Sequence, residues 1–142
     1  MAKLAPGIVI ASVIGLALAG NARPIDAPTD SIALERASPP VGTTLVAGQD
    51  VEIALTVKYE LRGADSGTVA LVIEDDKFRP ILPKGRDQQS ADVKRGSGEV
   101  TLTDKVPVQP RFRSLEVYVP LVRDGSKGTK TFVHVSYPVR RP

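Results

Sequence analysis

Residues 51–62 alternate almost without a break. Val51, Ile53, Leu55, Val57, Tyr59 and Leu61 are apolar, while Glu52, Thr56, Lys58, Glu60 and Arg62 are polar and only Ala54 departs from the pattern. A period of two puts all of the apolar side chains on one face of a strand, whereas a helix would scatter them round its circumference. The segment therefore predicts a β-strand with one wet face, and it sets the expectation for the rest of the chain.

The other periodic segments agree. Thr68 to Glu74 resumes as strand, with Ala70 and Val72 making its second face apolar too, as in mid-sheet. Ala91 to Lys94 and Glu99 to Val108 flank Arg95-Gly96-Ser97-Gly98, which reads as a hairpin turn, and Gly63-Ala64-Asp65-Ser66-Gly67 reads as a turn cluster. Leu115 to Arg123 and Thr131 to Val139 alternate on either side of Asp124-Gly125-Ser126-Lys127-Gly128. Asp75 to Gln89, polar and carrying Pro80 and Pro83, reads as a long loop. Pro120 conflicts with a central strand because it cannot donate to the ladder, so a bulge or an edge is expected there. Six or seven strands with turns between them and no helix predict an all-β fold, an antiparallel β-sandwich or barrel.

At 142 residues the chain has room for one domain. Met1-Ala2-Lys3, the apolar run Leu4 to Ala19 and the small residues around Ala19 and Ala22 have the layout of a secretory signal peptide, assigned to residues 1–22. Residues 23–44, with Pro24, Pro28, Pro39 and Pro40, read as an extended Pro-rich lead-in with an edge strand, and residues 45–142 as the β-sandwich domain. Export without a single cysteine points to a bacterial periplasm or exterior, with membrane attachment only if the leader stays uncleaved.

The run Val46-Ala47-Gly48-Gln49-Asp50-Val51-Glu52-Ile53-Ala54-Leu55 resembles the entry into the second strand of immunoglobulin-like modules, including exported modules of the CARDB and fibronectin type III kinds. The closing pair of strands, Leu115 to Val139 with a glycine-bearing turn, is similar to the last two strands of such modules. The resemblance implies an immunoglobulin-like sandwich of about six to seven strands following the signal peptide, with an adhesion, scaffold or accessory role.

Catalytic chemistry finds little footing. The absence of Cys removes thiol nucleophiles and Cys-ligated metals, and a single His removes sites that need two imidazoles. Asp65-Ser66-Gly67 is similar to the nucleophile segment of trypsin-like proteases, but Ala64 and Thr68 stand where the flanking glycines belong and His134 lies downstream rather than upstream. Glu74-Asp75-Asp76 is the densest acidic cluster; no further oxygen ligands follow at calcium-loop spacing, so it reads as a solvated strand end. The expectation is no enzyme, with no catalytic residue, no metal and no cofactor.

Charge is the feature that is not generic. Residues 23–76 hold four basic and ten acidic side chains, a net of −6, and residues 77–142 hold fourteen basic and six acidic, a net of +8. Compensation between neighbouring strands is one reading of that asymmetry. The sharper reading is a basic face of Lys84, Arg86, Lys94, Arg95, Arg111, Arg113, Arg140 and Arg141. The leading functional expectation is a non-catalytic sandwich that binds or supports an envelope protein or glycan. The alternative is polyanion binding (envelope glycan, lipid headgroup or nucleic acid) through that face, with no specific nucleic acid expected. Edge strands leave room for a homodimer.

Overall fold

The computed structural model describes residues 29–81, 88–126 and 131–142. Seven strands are present among them: β1 (Ser31–Ser38), β2 (Leu45–Val46), β3 (Asp50–Ala70), β4 (Val72–Asp75), β5 (Ser90–Pro107), β6 (Ser114–Arg123) and β7 (Phe132–Arg140). The leader read at residues 1–22 lies outside the described residues, as do Lys84 and Arg86.

All seven strands belong to one sheet, in the order β1-β3-β6-β7-β2, with β5 on the other side of β3 and β4 beside β6. The chain is all-β, but the expected two-sheet immunoglobulin-like sandwich is not what it builds. β2 pairs with β7 in parallel and the other pairings are antiparallel, so the topology is mixed. The sheet is also open, because among the described residues β5 pairs only with β3 and β2 only with β7.

The reason lies in the two segments read as turns. Neither reverses the chain. β3 runs through residues 63–67 and β5 runs through residues 95–98, and the two stay paired from Asp50↔Pro107 to Ala70↔Ser90. Between Leu61↔Gly96 and Ser66↔Lys94, four residues of β3 stand against the single residue Arg95, a large bulge. The first part of β3 takes β1 as its second neighbour, and after the bulge Gly67 to Val69 takes β6 instead. One strand thus carries the hydrogen bonding across the place where two sheets would have separated.

Glycine serves close approach here rather than reversal. A Cβ on Gly98 would lie 2.6 Å from the hydroxyl of Tyr59, its cross-strand partner, and one on Gly67 would lie 2.6 Å from the carbonyl oxygen of Val122. Pro120 is accommodated by a gap. Pairing on that side of β6 stops at Val72↔Tyr118 and restarts at Val69↔Leu121, so the missing donor faces the break at Leu71, whose own N–H donates to Gln89 O at 2.8 Å.

A single core collects residues from most of the sheet, among them Ile53, Leu55, Val57 and Leu61 of β3, Val117 and Val119 of β6, and Val135 and Tyr137 of β7. β1 and β7 are separated by two strands in the sheet order. Even so, the Tyr137 hydroxyl donates to the carbonyl of Pro39, just past β1, at 2.6 Å. Apolar residues of β1 (Ile32, Leu34 and Ala37) and of β7 (Val135 and Tyr137) accordingly pack with one core.

Candidate functional site: a basic cleft

β4 ends at Asp75, whose side chain turns inward and is 1% exposed. A buried carboxylate needs donors, and the next residues supply them. Its Oδ1 accepts the backbone N–H groups of Lys77 at 2.8 Å and Arg79 at 3.0 Å, and its Oδ2 accepts Arg79 Nε at 3.0 Å. The main chain closes the same turn, with Asp75 N–H donating to Arg79 O at 2.9 Å and Phe78 N–H to Asp75 O at 3.0 Å. Burial pushes the Asp75 carboxyl up, but the N–H groups of Arg79 and Lys77 and the Arg79 guanidinium outweigh it and hold the group below the ordinary value. The expectation of a solvated strand end at 74–76 is therefore corrected: Asp75 is buried and organises the turn.

The opposite wall is the segment between β5 and β6. Arg111 lies with its guanidinium 4.9 Å from the centre of the Phe112 ring, donates Nε to Gln109 Oε1 at 2.9 Å, and reaches Asp75 Oδ2 at 3.5 Å. Arg113 donates its backbone N–H to Asp76 Oδ1 at 2.9 Å and its carbonyl accepts Val139 N–H at 2.9 Å. The Asp76 carboxyl is held below its ordinary value chiefly by that N–H of Arg113. The end of β7 adds Arg140 and Arg141. Together Asp76, Lys77, Arg111, Arg113, Arg140 and Arg141 line a cleft of about 530 Å³, five cations to one carboxylate. Among the described residues, Lys77, Arg113, Arg140 and Arg141 form no ion pair.

Of the eight basic residues expected to share a face, the described ones divide between two places. Arg111, Arg113, Arg140 and Arg141 come together, whereas Lys94 and Arg95 lie at the β3 bulge. There Arg95 pins the bulge, donating Nη2 to Asp65 Oδ1 at 2.8 Å and Nη1 to the Arg62 carbonyl. Lys84 and Arg86 lie outside the described residues. Lys77 and Asp75 were not among the expected site residues. The signal for them was the Asp75-Asp76 doublet running directly into Lys77, an acidic anchor beside a basic residue.

A second polar cluster lies on β6 and β7. Glu116 accepts hydrogen bonds from Ser136 Oγ at 2.9 Å and from Ser114 Oγ, and its other oxygen meets His134 Nε2 at 2.7 Å. His134 stacks on Tyr118 with centroids 4.5 Å apart. The hydroxyls address the carboxylate and not the imidazole, which is the wrong order for a serine nucleophile. Among the described residues no group of three or more His, Cys, Asp or Glu side chains could hold a metal ion.

No family model matches the sequence, and no curated protein does. Among solved structures, a Bacteroides fragilis chain described as a "putative beta-galactosidase" is similar with a TM-score of 0.49 and 17% identity. The likeness covers 80% of this chain and 16% of that one, and it carries no argument about fold or function. The role expected of an immunoglobulin-like sandwich, binding an envelope component, loses its premise with the sandwich itself. Of the eight residues expected to bind a polyanion, four line the cleft, two lie at the bulge and two lie outside the described residues.

Proposed function

We propose that the protein is a binding module whose basic cleft holds one compact anionic group, a phosphate, sulfate or carboxylate carried by a larger ligand. The observation that carries this reading is the pairing pattern: Asp75 and Asp76 are committed to the turn and to Arg113, while four of the five lining cations have no carboxylate partner among the described residues. A concave site lined by one sign of charge concentrates its field on a ligand. Arg111 is held on three sides, so its planar fork loses little freedom on meeting a second anion. Binding without turnover is part of the proposal, supported by the arrangement around Glu116, where among the described residues both serine hydroxyls address the carboxylate and none the imidazole.

The test is equilibrium dialysis of inorganic phosphate against the full chain. One-to-one binding is expected, weakening with added salt. Arg113→Gln should bind about tenfold more weakly, the scale of one charge-assisted hydrogen bond. Phosphate uptake that is absent, or unchanged in Arg113→Gln, would remove the reading.

A further inference from the structure

At the tip of the Asp75–Arg79 turn, Phe78 is 65% exposed and sits at a φ of 61°. A bulky side chain in the left-handed region is a backbone outlier, tolerated only where surrounding contacts over-determine it. Those contacts are present: the buried Asp75 carboxylate holds the N–H groups on both sides of Phe78, at Lys77 and Arg79. The turn therefore carries strain and presents a phenyl ring to water, with a cation on either side of it in the chain. Nothing in the packing asks for this ring, because most of it lies outside the core.

Its surroundings select a partner. Lys77 lines the basic cleft, and Arg79 shares the Asp75 carboxylate with Arg111 of the opposite wall, so the ring stands beside the cleft. Phe132, another of the large exposed apolar side chains, pairs with Pro120 at the far end of β6 from the cleft residue Arg113. One aromatic ring ringed by cations is too small an apolar surface for the packed centre of a protein interface. It suffices for a bilayer, where the apolar phase is fluid and needs no matching shape, and where each nearby cation gains from an anionic surface. No helix among the described residues is long and apolar enough to cross a membrane.

We infer that the 75–79 turn is a docking tip for an anionic lipid surface, with Phe78 entering the acyl boundary while Lys77, Arg79 and the cleft arginines lie at the level of the phosphates. This rests on the anion-binding reading of the cleft and names the source of the anionic group.

The chain has no tryptophan, so Phe78→Trp introduces a single fluorescent reporter. The full chain is mixed with phosphatidylcholine vesicles and with vesicles also containing phosphatidylglycerol. The expected result is a blue shift of the introduced indole's emission and co-sedimentation on the anionic vesicles alone, both reversed by salt. Phe78→Asn suits the left-handed backbone and removes the ring. It should leave thermal stability equal or higher, and phosphate uptake unchanged, while anionic-vesicle affinity falls about tenfold or more, the scale of one buried phenyl group. A purely structural Phe78 would instead lower stability. Phosphate uptake without vesicle binding, equal vesicle binding by Phe78→Asn, or capture by polyglutamate in place of vesicles would each overturn the inference while sparing the cleft. Loss of phosphate uptake in the wild type would remove the anion-binding reading itself.

Discussion

Arg123 Nε donates to Asp30 Oδ2 at 2.7 Å, joining the last residue of β6 to the residue just before β1. The same Asp30 carboxylate takes the N–H groups of Arg62 at 2.8 Å and Gly63 at 2.9 Å, inside the β3 bulge. One side chain, 6% exposed, therefore satisfies backbone donors that the bulge withdraws from the ladder and a cation from the neighbouring strand. The bulge is where β3 exchanges β1 for β6, so Asp30 closes the junction on which the single sheet depends.

Replacing Asp30 by Ala removes the acceptor for two N–H groups and a guanidinium at once. Deleting that carboxylate leaves two N–H groups of the bulge without their acceptor, at a cost of about 2–3 kcal/mol. Urea denaturation should show a lower midpoint with an unchanged slope. A destabilisation of under about 0.5 kcal/mol, the range of ordinary surface substitutions, would show that the junction does not need Asp30.

Acid should destabilise the fold. At Asp30, burial acts to raise the carboxyl, but the Arg123 side chain and the N–H groups of Arg62 and Gly63 hold it below the ordinary 3.8. Asp75, Asp76 and Glu116 are lowered as well. At Glu116, burial is outweighed by the hydrogen bonds from Ser114, His134 and Ser136. Where the folded value is depressed, the unfolded chain binds protons first as pH falls. The stabilisation is complete above the ordinary values of 3.8 for Asp and 4.5 for Glu, and is lost as pH drops through the folded ones. Melting temperature should be flat from neutrality to about pH 5 and then fall. In Asp30→Asn the acid limb should be shallower. A melting temperature that rises on acidification would contradict these assignments.

Gly67→Ala should cost about 1–3 kcal/mol, the usual scale for overpacking. Its Cβ would meet the backbone oxygen of Val122 at 2.6 Å, and a ladder carbonyl cannot swing aside as a side chain can. Thermal melts of the purified variant measure this. A neutral result would contradict so close an approach of β3 and β6 at this point.

Tyr137→Phe removes only the oxygen that joins β7 to Pro39. The expected loss is about 1 kcal/mol, the net worth of one such bond plus the stranded carbonyl. Amide exchange should quicken along β1 more than along β5. Equal protection in both strands would separate the bond from the docking of β1.

Much of the strand content is legible from alternation, because Val51 to Leu61, Leu115 to Leu121 and Val133 to Val139 each have one face set against the core. What alternation leaves open is how the strands connect. Gly63-Ala64-Asp65-Ser66-Gly67 and Arg95-Gly96-Ser97-Gly98 have turn composition, yet local chemistry is the same for a reversal and for a bulge stapled by remote charges. The deciding partners are Asp30 and Arg123 for the first and Asp65 for the second, and the pairing of Asp30 with Arg123 spans 93 residues. The cleft was half legible. Arg111, Arg113, Arg140 and Arg141 stand out as cations, but Lys94 and Arg95 look no different in the sequence and end up beside the bulge. Asp75 and Asp76 look alike in the sequence, yet the first, the last residue of β4, turns inward and the second, just past the strand, accepts the N–H of Arg113.

Resonance mapping of bound phosphate would locate the proposed ligand site in the cleft between the 75–79 turn, Arg111 and the end of β7. With inorganic phosphate titrated into isotopically labelled protein, saturable amide shifts are expected at Lys77, Arg111, Arg113 and Arg140, with Lys94 and Arg95 unmoved. Shifts concentrated at Lys94 and Arg95, or spread evenly over surface cations without saturation, would contradict the account.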